Sequence, residues 1–206
     1  MKVTYSVGFK SDGKITALNV DILINASINE DVSPLLQKAI IGALQKYNWG
    51  TLSFDVRICK TNLTSKSAMR APGDVQGSYI AEAVIEHVAS TLSMDTNSVR
   101  KKNLHIHESL QLFYKDSSGE PHEYTLPAIL EKLANTSSFN HRSEMIKHFN
   151  MRNKWRKRGI SSVPIVFEVS LRPSPGRVGI LNDGSVVVEV HLAFPIKHSP
   201  IRLKSM

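Results

Sequence analysis

Cysteine is almost absent from this sequence, which contains only Cys59 among its 206 residues. One thiol cannot form an internal disulfide bond, and it cannot supply the cysteine ligands of an iron–sulfur cluster. Long apolar runs are missing too, and the N-terminus alternates apolar with polar residues instead of forming the apolar core of a signal peptide. The sequence therefore indicates a cytoplasmic globular protein and argues against membrane insertion.

Acidic residues are the minority, with 18 Asp and Glu against 26 Lys and Arg and a formal charge of +8. Such an excess can attract nucleic acid or anionic surfaces. The cations, however, concentrate in residues 147–158 (KHFNMRNKWRKR) and in the last ten residues. Because no nucleic-acid-binding signature accompanies them, we expect the run at 154–158 to be a structural helix end whose Trp155 reaches the core. Nucleic-acid binding is the weaker alternative.

The first half of the chain shows clear periodic patterns. Residues 3–10 and 14–24 alternate as two strands around Ser11-Asp12-Gly13, which is typical of a β-hairpin turn. Apolar residues at helical spacing predict a helix that opens at Ser33-Pro34 and ends near residues 47–50. Alternation at 52–58 then predicts a half-buried strand leading to Cys59.

The rest of the chain predicts a helical middle and a return to strands. We expect helices at 75–90, 96–104, 126–133 and 138–157, followed by strands at 164–171, 178–181 and 185–190. Asn182-Asp183-Gly184 marks a second hairpin turn. The fold class is therefore α+β, with β-hairpins flanking a helical middle. Two prolines and the loss of periodicity predict an irregular tail over residues 191–206.

The segment 60–77 (KTNLTSKSAMRAPGDVQG) is dense in Gly, Pro, Asn and Ser, which predicts a structured loop before the helix at 75–90, with Asp74 as its N-cap. Arg70 precedes the small turn Ala71-Pro72-Gly73. Backbone N–H groups of such a turn can approach an anionic ligand closely, and a helix start adds positive potential. Spacing alone leaves open whether Arg70 binds an anion or only braces the loop.

Other candidate residues carry weaker signals. Glu82 and Glu86 share a helical face, but no second pair of metal ligands accompanies them. We expect a solvated face with incidental salt bridges there. His105 and His107 would share one strand face, and we expect them to be exposed loop histidines. Cys59 is more typical of a small buried residue than of a reactive thiol.

The residues 59–63 (CKTNL), 67–77 (SAMRAPGDVQG) and Ala81-Glu82 resemble the molybdenum hydroxylases, and specifically the plant aldehyde oxidases. Further matches follow in the same order at 97–104 (NSVRKKNL), 155–167 (WRKRGISSVPIVF) and 180–190 (ILNDGSVVVEV). The resemblance covers residues 1–190. It implies a partial molybdenum-cofactor-binding domain over 1–190 and a divergent tail over 191–206.

This resemblance implies an oxidoreductase that converts an aldehyde, water and O2 to a carboxylic acid on molybdopterin-bound molybdenum, with FAD and two [2Fe–2S] clusters in the full enzyme. It assigns Arg70, Ala71 and Gly73 to the cofactor loop, where the arginine lies against the cofactor. It places Pro72 on the substrate side, at the position of an aromatic residue in the xanthine dehydrogenase branch. It implies no catalytic residue and no direct metal ligand in this stretch.

The sequence departs from the family pattern after Val190. In the family, the matching strand continues into a Gly-Gly-x-Glu-x-Gly-Gln-Gly cofactor loop, but here His191-Leu192-Ala193 follows. The glutamate that acts as general base belongs to a more distant stretch, and the cluster and flavin domains precede this region. We therefore expect a truncated protein that is not catalytic alone. The alternative is a non-enzymatic fragment that forms a homo-oligomer or associates with a full-length aldehyde oxidase.

Overall fold

The computed structural model describes residues 1–27, 33–64, 71–106, 108–109, 124–166, 176–190 and 201–203. The chain divides into two compact units, Met1–Phe167 and Glu168–Met206. The first unit contains β1 (Lys2–Phe9), β2 (Ile15–Ser27), α1 (Ser33–Leu44), β3 (Thr51–Lys60), α2 (Asp74–Leu92), α3 (Thr96–Lys102), α4 (Leu126–Thr136) and α5 (Phe139–Arg152). The second contains β4 (Gly176–Ile180), β5 (Val186–Val190) and β6 (Ile201–Leu203).

The predicted first hairpin is confirmed. Strands β1 and β2 pair antiparallel from Lys2 opposite Leu23 to Phe9 opposite Ile15. In the turn, the Asp12 carboxylate accepts a hydrogen bond of 3.0 Å from the backbone N–H of Lys14, and Gly13 has a φ of +88°. Asp and Gly suit these positions because Asp bonds to its own backbone and Gly tolerates a positive φ.

Strand β2 is the centre of the first sheet, whose order is β1-β2-β3. It pairs with β3 in parallel, from Ala17 opposite Thr51 to Ser27 opposite Lys60. Parallel neighbours need a crossover connection, which α1 provides here. The alternating sequence predicts each strand, but the parallel pairing of β2 with β3 becomes visible only in the folded chain.

One face of this sheet carries the core. The alternate side chains Leu18, Val20, Ile22 and Ile24 of β2 are buried. Helices α1 and α2 contribute further buried apolar residues to the cluster, which include Ile40, Leu44, Ile80, Val84, Ile85 and Val88. On the opposite face, Asn19 lies between Ser6 of β1 and Ser53 of β3, and all three residues are exposed.

Helix α1 ends earlier than its sequence pattern predicts, at Leu44. The buried indole of Trp49 donates a hydrogen bond of 2.8 Å to the backbone carbonyl of Leu44, and Tyr47 forms a β-bridge with Leu104. These contacts satisfy backbone groups that a longer helix would have used itself. Side chains that fold back from outside the helix therefore decide its end.

The end of α5 and the expected strand at 164–171 also differ from the predictions. Helix α5 ends at Arg152 and not at residue 157, because the Asn150 side chain pairs with both backbone groups of Arg158 and turns the chain back. Residues 164–166, expected to begin a strand, have no regular structure. The remainder of that expected strand, 167–171, lies outside the described residues.

In the second unit, β4, β5 and β6 form an antiparallel sheet in that order. The predicted second hairpin turn is confirmed, since the N–H of Leu181 donates a 2.9 Å bond to the carbonyl of Ser185 and Gly184 has a φ of +77°. The expectation of an irregular tail is wrong at β6, which pairs with residues 186–188, because the second edge of β5 is available for pairing. The α+β fold class is confirmed.

Candidate functional site

The loop that carries the site ends in a turn of unusual backbone conformation. Ala71 has a φ of +49° and Gly73 a φ of +91°, with the rigid ring of Pro72 between them. A positive φ is costly for alanine and persists only where surrounding contacts enforce it, often at functional sites. Arg70 lies outside the described residues, so its predicted contact with the cofactor stays a prediction.

Gly73 has no room for a side chain. A Cβ there would lie 2.6 Å from the Cβ of Ala39 and 2.8 Å from the carbonyl oxygen of Leu36, both on α1. The left-handed φ and this close approach both require glycine. The turn is therefore seated directly on the backbone of α1.

Gly73 is also the N-cap of α2, which corrects the expectation that Asp74 caps this helix; Asp74 is the first helical residue. The side-chain oxygen of Gln76 accepts a 2.8 Å hydrogen bond from the N–H of Gly73, and the carbonyl of Gly73 accepts one of 2.8 Å from the N–H of Gly77. The first N–H groups of a helix produce a positive potential at its start. A preorganised turn on such a start fits an anionic group.

Gly77 extends the tight contact by one helical turn. A Cβ at this position would lie 2.6 Å from the carbonyl oxygen of Ile40 and 2.8 Å from the Cβ of Ala43. Helices α1 and α2 can approach this closely because small residues face each other. Sequence reasoning missed the contact, although the glycines four residues apart in GDVQG were its signal.

Glu82 contradicts the expectation of a solvated carboxylate. Its Oε1 lies 2.8 Å from the ammonium of Lys46 and accepts a hydrogen bond of 2.8 Å from the Tyr47 hydroxyl. Its Oε2 accepts one of 2.7 Å from Nε of Arg100. Lys46 and Arg100 are buried, whereas the Glu86 side chain is 64% exposed. Glu82 thus joins the end of α1 to α2 and α3.

The protonation of this cluster follows from its contacts. Burial opposes ionisation of Glu82, but the hydrogen bonds from Lys46 and Arg100 outweigh it and hold the pKa of Glu82 below its ordinary value. Burial, and then the charge of Glu82, raises the pKa of Tyr47, so its hydroxyl stays a donor. Burial lowers the pKa of Lys46, and the bond with Glu82 opposes that shift. The charged cluster therefore has a structural role, which is to join the end of α1 to α2 and α3.

His105 is buried, which contradicts the expectation of an exposed loop histidine. Its Nε2 lies 2.8 Å from the carbonyl oxygen of Gln45, and its Nδ1 lies 3.0 Å from the Ser109 hydroxyl. Burial lowers the pKa of His105. The ring therefore connects the end of α1 to the chain after α3, and His107 lies outside the described residues.

The basic run after α5 is an exposed segment folded back on the helix. Trp155 is 87% exposed, so the expectation that it reaches the core is wrong. The Lys154 ammonium lies 4.9 Å from the centre of its ring, and the Arg158 guanidinium lies 3.9 Å from that of Phe149. Asn150 anchors this segment.

Neither a metal-binding cluster nor a membrane-spanning helix occurs within the described ranges. No three His, Cys, Asp or Glu side chains there come together in a group that could hold a metal ion. None of the helices there has the length and apolar character needed to cross a bilayer. Cys59, a free thiol, is partly buried.

Comparisons of the sequence connect this geometry to known proteins. The molybdopterin cofactor-binding domain family matches residues 1–104. Over 190 residues, the chain is 65% identical to an indole-3-acetaldehyde oxidase of Zea mays and 61% identical to an abscisic-aldehyde oxidase of Arabidopsis thaliana. Each alignment covers 92% of this chain and 14% of the relative. The chain therefore spans about one seventh of the length of these relatives.

Solved structures share the fold at lower identity. The aldehyde oxidoreductase of Desulfovibrio desulfuricans matches 90% of this chain, and 20% of its own, with a TM-score of 0.69 and 19% identity. The aldehyde oxidoreductase of Desulfovibrio gigas matches the same shares with a TM-score of 0.63 and 19% identity. At this identity the likeness supports the fold alone.

Proposed function

The chain belongs to the molybdopterin cofactor-binding domain family, and from this premise we propose that it forms one wall of a molybdenum-cofactor site of the aldehyde oxidase type. The observation that carries the proposal is the turn at Ala71–Gly73, whose positive φ values and close seat on α1 preorganise backbone at the start of α2. The reaction proposed for the complete enzyme is the oxidation of an aldehyde to a carboxylic acid, in which water supplies the oxygen atom and O2 accepts two electrons and two protons to become H2O2.

The proposed roles within this stretch follow the chemistry of the turn. Arg70 and the backbone of Ala71 and Gly73 hold the anionic side of the cofactor, and Pro72 borders the substrate with an apolar ring. When bound, the molybdenum cofactor supplies the oxidation–reduction chemistry. The protein's own contribution at this turn is binding and orientation.

The relatives' names indicate the substrate class, because indole-3-acetaldehyde and abscisic aldehyde are both aldehydes. The sequence identities to the two relatives are similar, so they do not discriminate between these two substrates. We propose that the 206-residue chain alone does not turn over, since in this family the general base and the electron-transfer groups come from other parts of the polypeptide.

Metal analysis of the purified chain, combined with an aldehyde-dependent dye-reduction assay, tests this function. We expect the chain to give no turnover and Arg70→Ala to reduce any molybdenum that co-purifies with it. Arg57→Ala is the matched control, because the Arg57 side chain is 64% exposed and pairs with the exposed Asp55 on the same strand, β3. Stoichiometric molybdenum with steady turnover would contradict the proposed inactivity. An equal loss of molybdenum in Arg70→Ala and Arg57→Ala would contradict the role of Arg70.

A second proposed function is association with a full-length aldehyde oxidase or with another copy of the chain. It is favoured by one face of the second unit, where Val178 and Ile180 on β4 are 68% and 77% exposed and lie opposite Val188 and Val186 on β5. Apolar sheet faces of this kind commonly pair with other surfaces.

Co-purification with a full-length aldehyde oxidase tests this second function. We expect the double variant Val178→Thr, Ile180→Thr to reduce capture. Ile165→Thr is the control, because Ile165 is an equally exposed apolar residue in the first unit, at 76%. Capture that survives the double variant would exclude this face as the interface.

We also propose a cytoplasmic location, supported by the single cysteine of the chain and by the rarity of disulfides in that compartment. A fluorescent fusion of the full chain tests it. Accumulation of the fusion in an organelle would refute the location without affecting the proposed cofactor site.

A further inference from the structure

We propose that Gln76 is the residue that positions the cofactor turn, and that it acts by locking the N–H of Gly73. This inference rests on the proposed function. It identifies a residue outside the segment 70–73, to which the resemblance assigns contact with the cofactor and the substrate. The lock is a single contact, the 2.8 Å hydrogen bond from the Gly73 N–H to the side-chain oxygen of Gln76. Gln76 does not need to touch the cofactor for this role.

The chemistry of the amide determines its orientation. A backbone N–H can only donate, so the oxygen of the Gln76 side chain must face Gly73 and its NH2 group must face away. Gln76 is the third residue of α2, a position from which a side chain reaches back to the N-cap backbone. The contact is therefore a helix-capping bond whose partner is the turn itself.

The turn needs such a lock because its conformation is costly. Ala71 and Gly73 both have positive φ values, and Pro72 has no N–H with which to hold the chain. The carbonyl of Ala71 accepts a long bond, 3.4 Å, from the N–H of Val75. Gln76 supplies a shorter restraint at the point where the strained turn meets the helix.

Helix α1 provides the second half of the restraint. Gly73 is pressed against Leu36 and Ala39 on one side, and the Gln76 oxygen holds its N–H on the other. The N–H and the Cα of one residue are thus fixed from two different helices. Loss of the Gln76 contact frees the peptide before Gly73, and with it the position of Ala71 and Pro72.

Amide hydrogen exchange of the 206-residue chain, measured by NMR, tests this role. The variant Gln76→Met keeps the side-chain length but removes the acceptor, and Gln76→Glu restores an acceptor that is favoured at a helix start. Gln37→Met is the matched control, because Gln37 is an exposed glutamine on α1. The amides of Ile80 and Val84, in the buried part of α2, serve as internal references.

We expect Gly73 to exchange about fivefold faster in Gln76→Met, the factor that corresponds to loss of one net hydrogen bond. Its exchange should return to the wild-type rate or slower in Gln76→Glu and stay unchanged in Gln37→Met, with the reference amides unaffected throughout. Unchanged exchange of Gly73 in Gln76→Met would overturn the proposal. Equal acceleration of all amides would also overturn it, because that result indicates general destabilisation.

A titration with free molybdopterin, followed by the absorbance of the pterin, connects the lock to the cofactor. If the wild-type chain binds molybdopterin, we expect Gln76→Met to weaken binding about fivefold and Gln37→Met to leave it unchanged. Equal affinity of wild type and Gln76→Met would overturn the link between the lock and the cofactor. If the wild-type chain does not bind, the proposed cofactor function fails for this chain, and the exchange of Gly73 still decides whether Gln76 positions the turn.

Discussion

Glu82 is the carboxylate that holds the buried cations Lys46 and Arg100 together. Three donors converge on its two oxygens at 2.7 to 2.8 Å, with Lys46 and Tyr47 following α1 and Arg100 lying in α3. Two of these donors are buried cations, which are stable in the interior only while a counter-charge is present. Glu82 of α2 therefore holds both α3 and the chain that follows α1 against α2.

The variant Glu82→Gln should destabilise the protein by about 3 kcal/mol, because it leaves the buried cations of Lys46 and Arg100 without their negative partner. Urea denaturation at pH 7 measures the loss in the free energy of unfolding. Gln has the same shape as Glu, so the variant removes the charge and leaves the packing volume unchanged.

The control for this prediction is Glu86→Gln. Glu86 is 64% exposed and lies 3.6 Å from the Arg100 guanidinium, so its loss should cost at most about 0.5 kcal/mol. Equal losses in the free energy of unfolding of Glu82→Gln and Glu86→Gln would show that surface charge, and not the buried cluster, determines the effect.

A second residue-scale connection is the buried side chain of Asn103. Its oxygen accepts a 2.9 Å hydrogen bond from the N–H of Ile15, and its NH2 group donates 2.9 Å bonds to the carbonyls of Gly13 and Val99. One amide thus satisfies backbone groups of the hairpin turn and of α3. This explains how the NSVRKKNL segment holds the first hairpin.

At the scale of elements, the contact between α1 and α2 positions the candidate site. The Gly73 and Gly77 positions of α2 lie against Ala39 and Ala43 of α1. The Ala71–Gly73 turn ends at Gly73, which is part of this contact, so the contact fixes the position of the turn. A change in the spacing between the two helices therefore moves the turn directly.

The variant Gly77→Ala tests this spacing. Alanine normally stabilises a helix interior by about 1 kcal/mol relative to glycine. Here the added Cβ would lie 2.6 Å from the carbonyl oxygen of Ile40, and overpacking of this kind costs about 1 to 3 kcal/mol. We therefore expect a lower melting temperature in calorimetry.

The control is Ser90→Ala, an exposed position near the end of the same helix. It should be neutral or slightly stabilising, because alanine is the better helix former. A melting temperature of Gly77→Ala at or above that of the wild type would mean that the two helices can separate at little cost.

At the scale of the whole molecule, the free energy of unfolding should depend on pH through the buried His105 and the partly buried Glu82. Both Glu82 and His105 have pKa values below their ordinary values of 4.5 and 6.5. A group whose pKa is lowered by folding stabilises the folded state above its unfolded pKa, and that stabilisation is lost as the pH falls through the folded pKa. For His105 the cause is burial first, with the charge of Lys14 adding to it.

We therefore expect the free energy of unfolding to be constant above about pH 7 and to fall in two stages, below about 6.5 for His105 and below about 4.5 for Glu82. Urea denaturation between pH 3 and pH 8 measures this profile. The variant His105→Gln should remove the upper stage, and Glu82→Gln the lower one. A profile that is flat from pH 7 to pH 4 would contradict the prediction.

The sequence determined the local elements and the identity of the critical loop. Asp-Gly turns predict both hairpins, apolar spacing predicts the helices, and residues 67–77 indicate the cofactor family, because these signals depend on neighbours a few residues apart. Hydrophobic periodicity could not show that Glu82 is enclosed by donors or that His105 is buried, since a polar residue at a helix edge or in a loop has the same local pattern whether solvent or donors surround it.

Only the tertiary structure decided how these parts are used. The parallel pairing of β2 with β3, the three donors around Glu82 and the seat of Gly73 on α1 all join residues distant in sequence. The reason is physical, because burial and charge pairing are properties of the space around a residue. The sequence specifies which groups can donate, accept or come close, and the folded chain decides which of them meet.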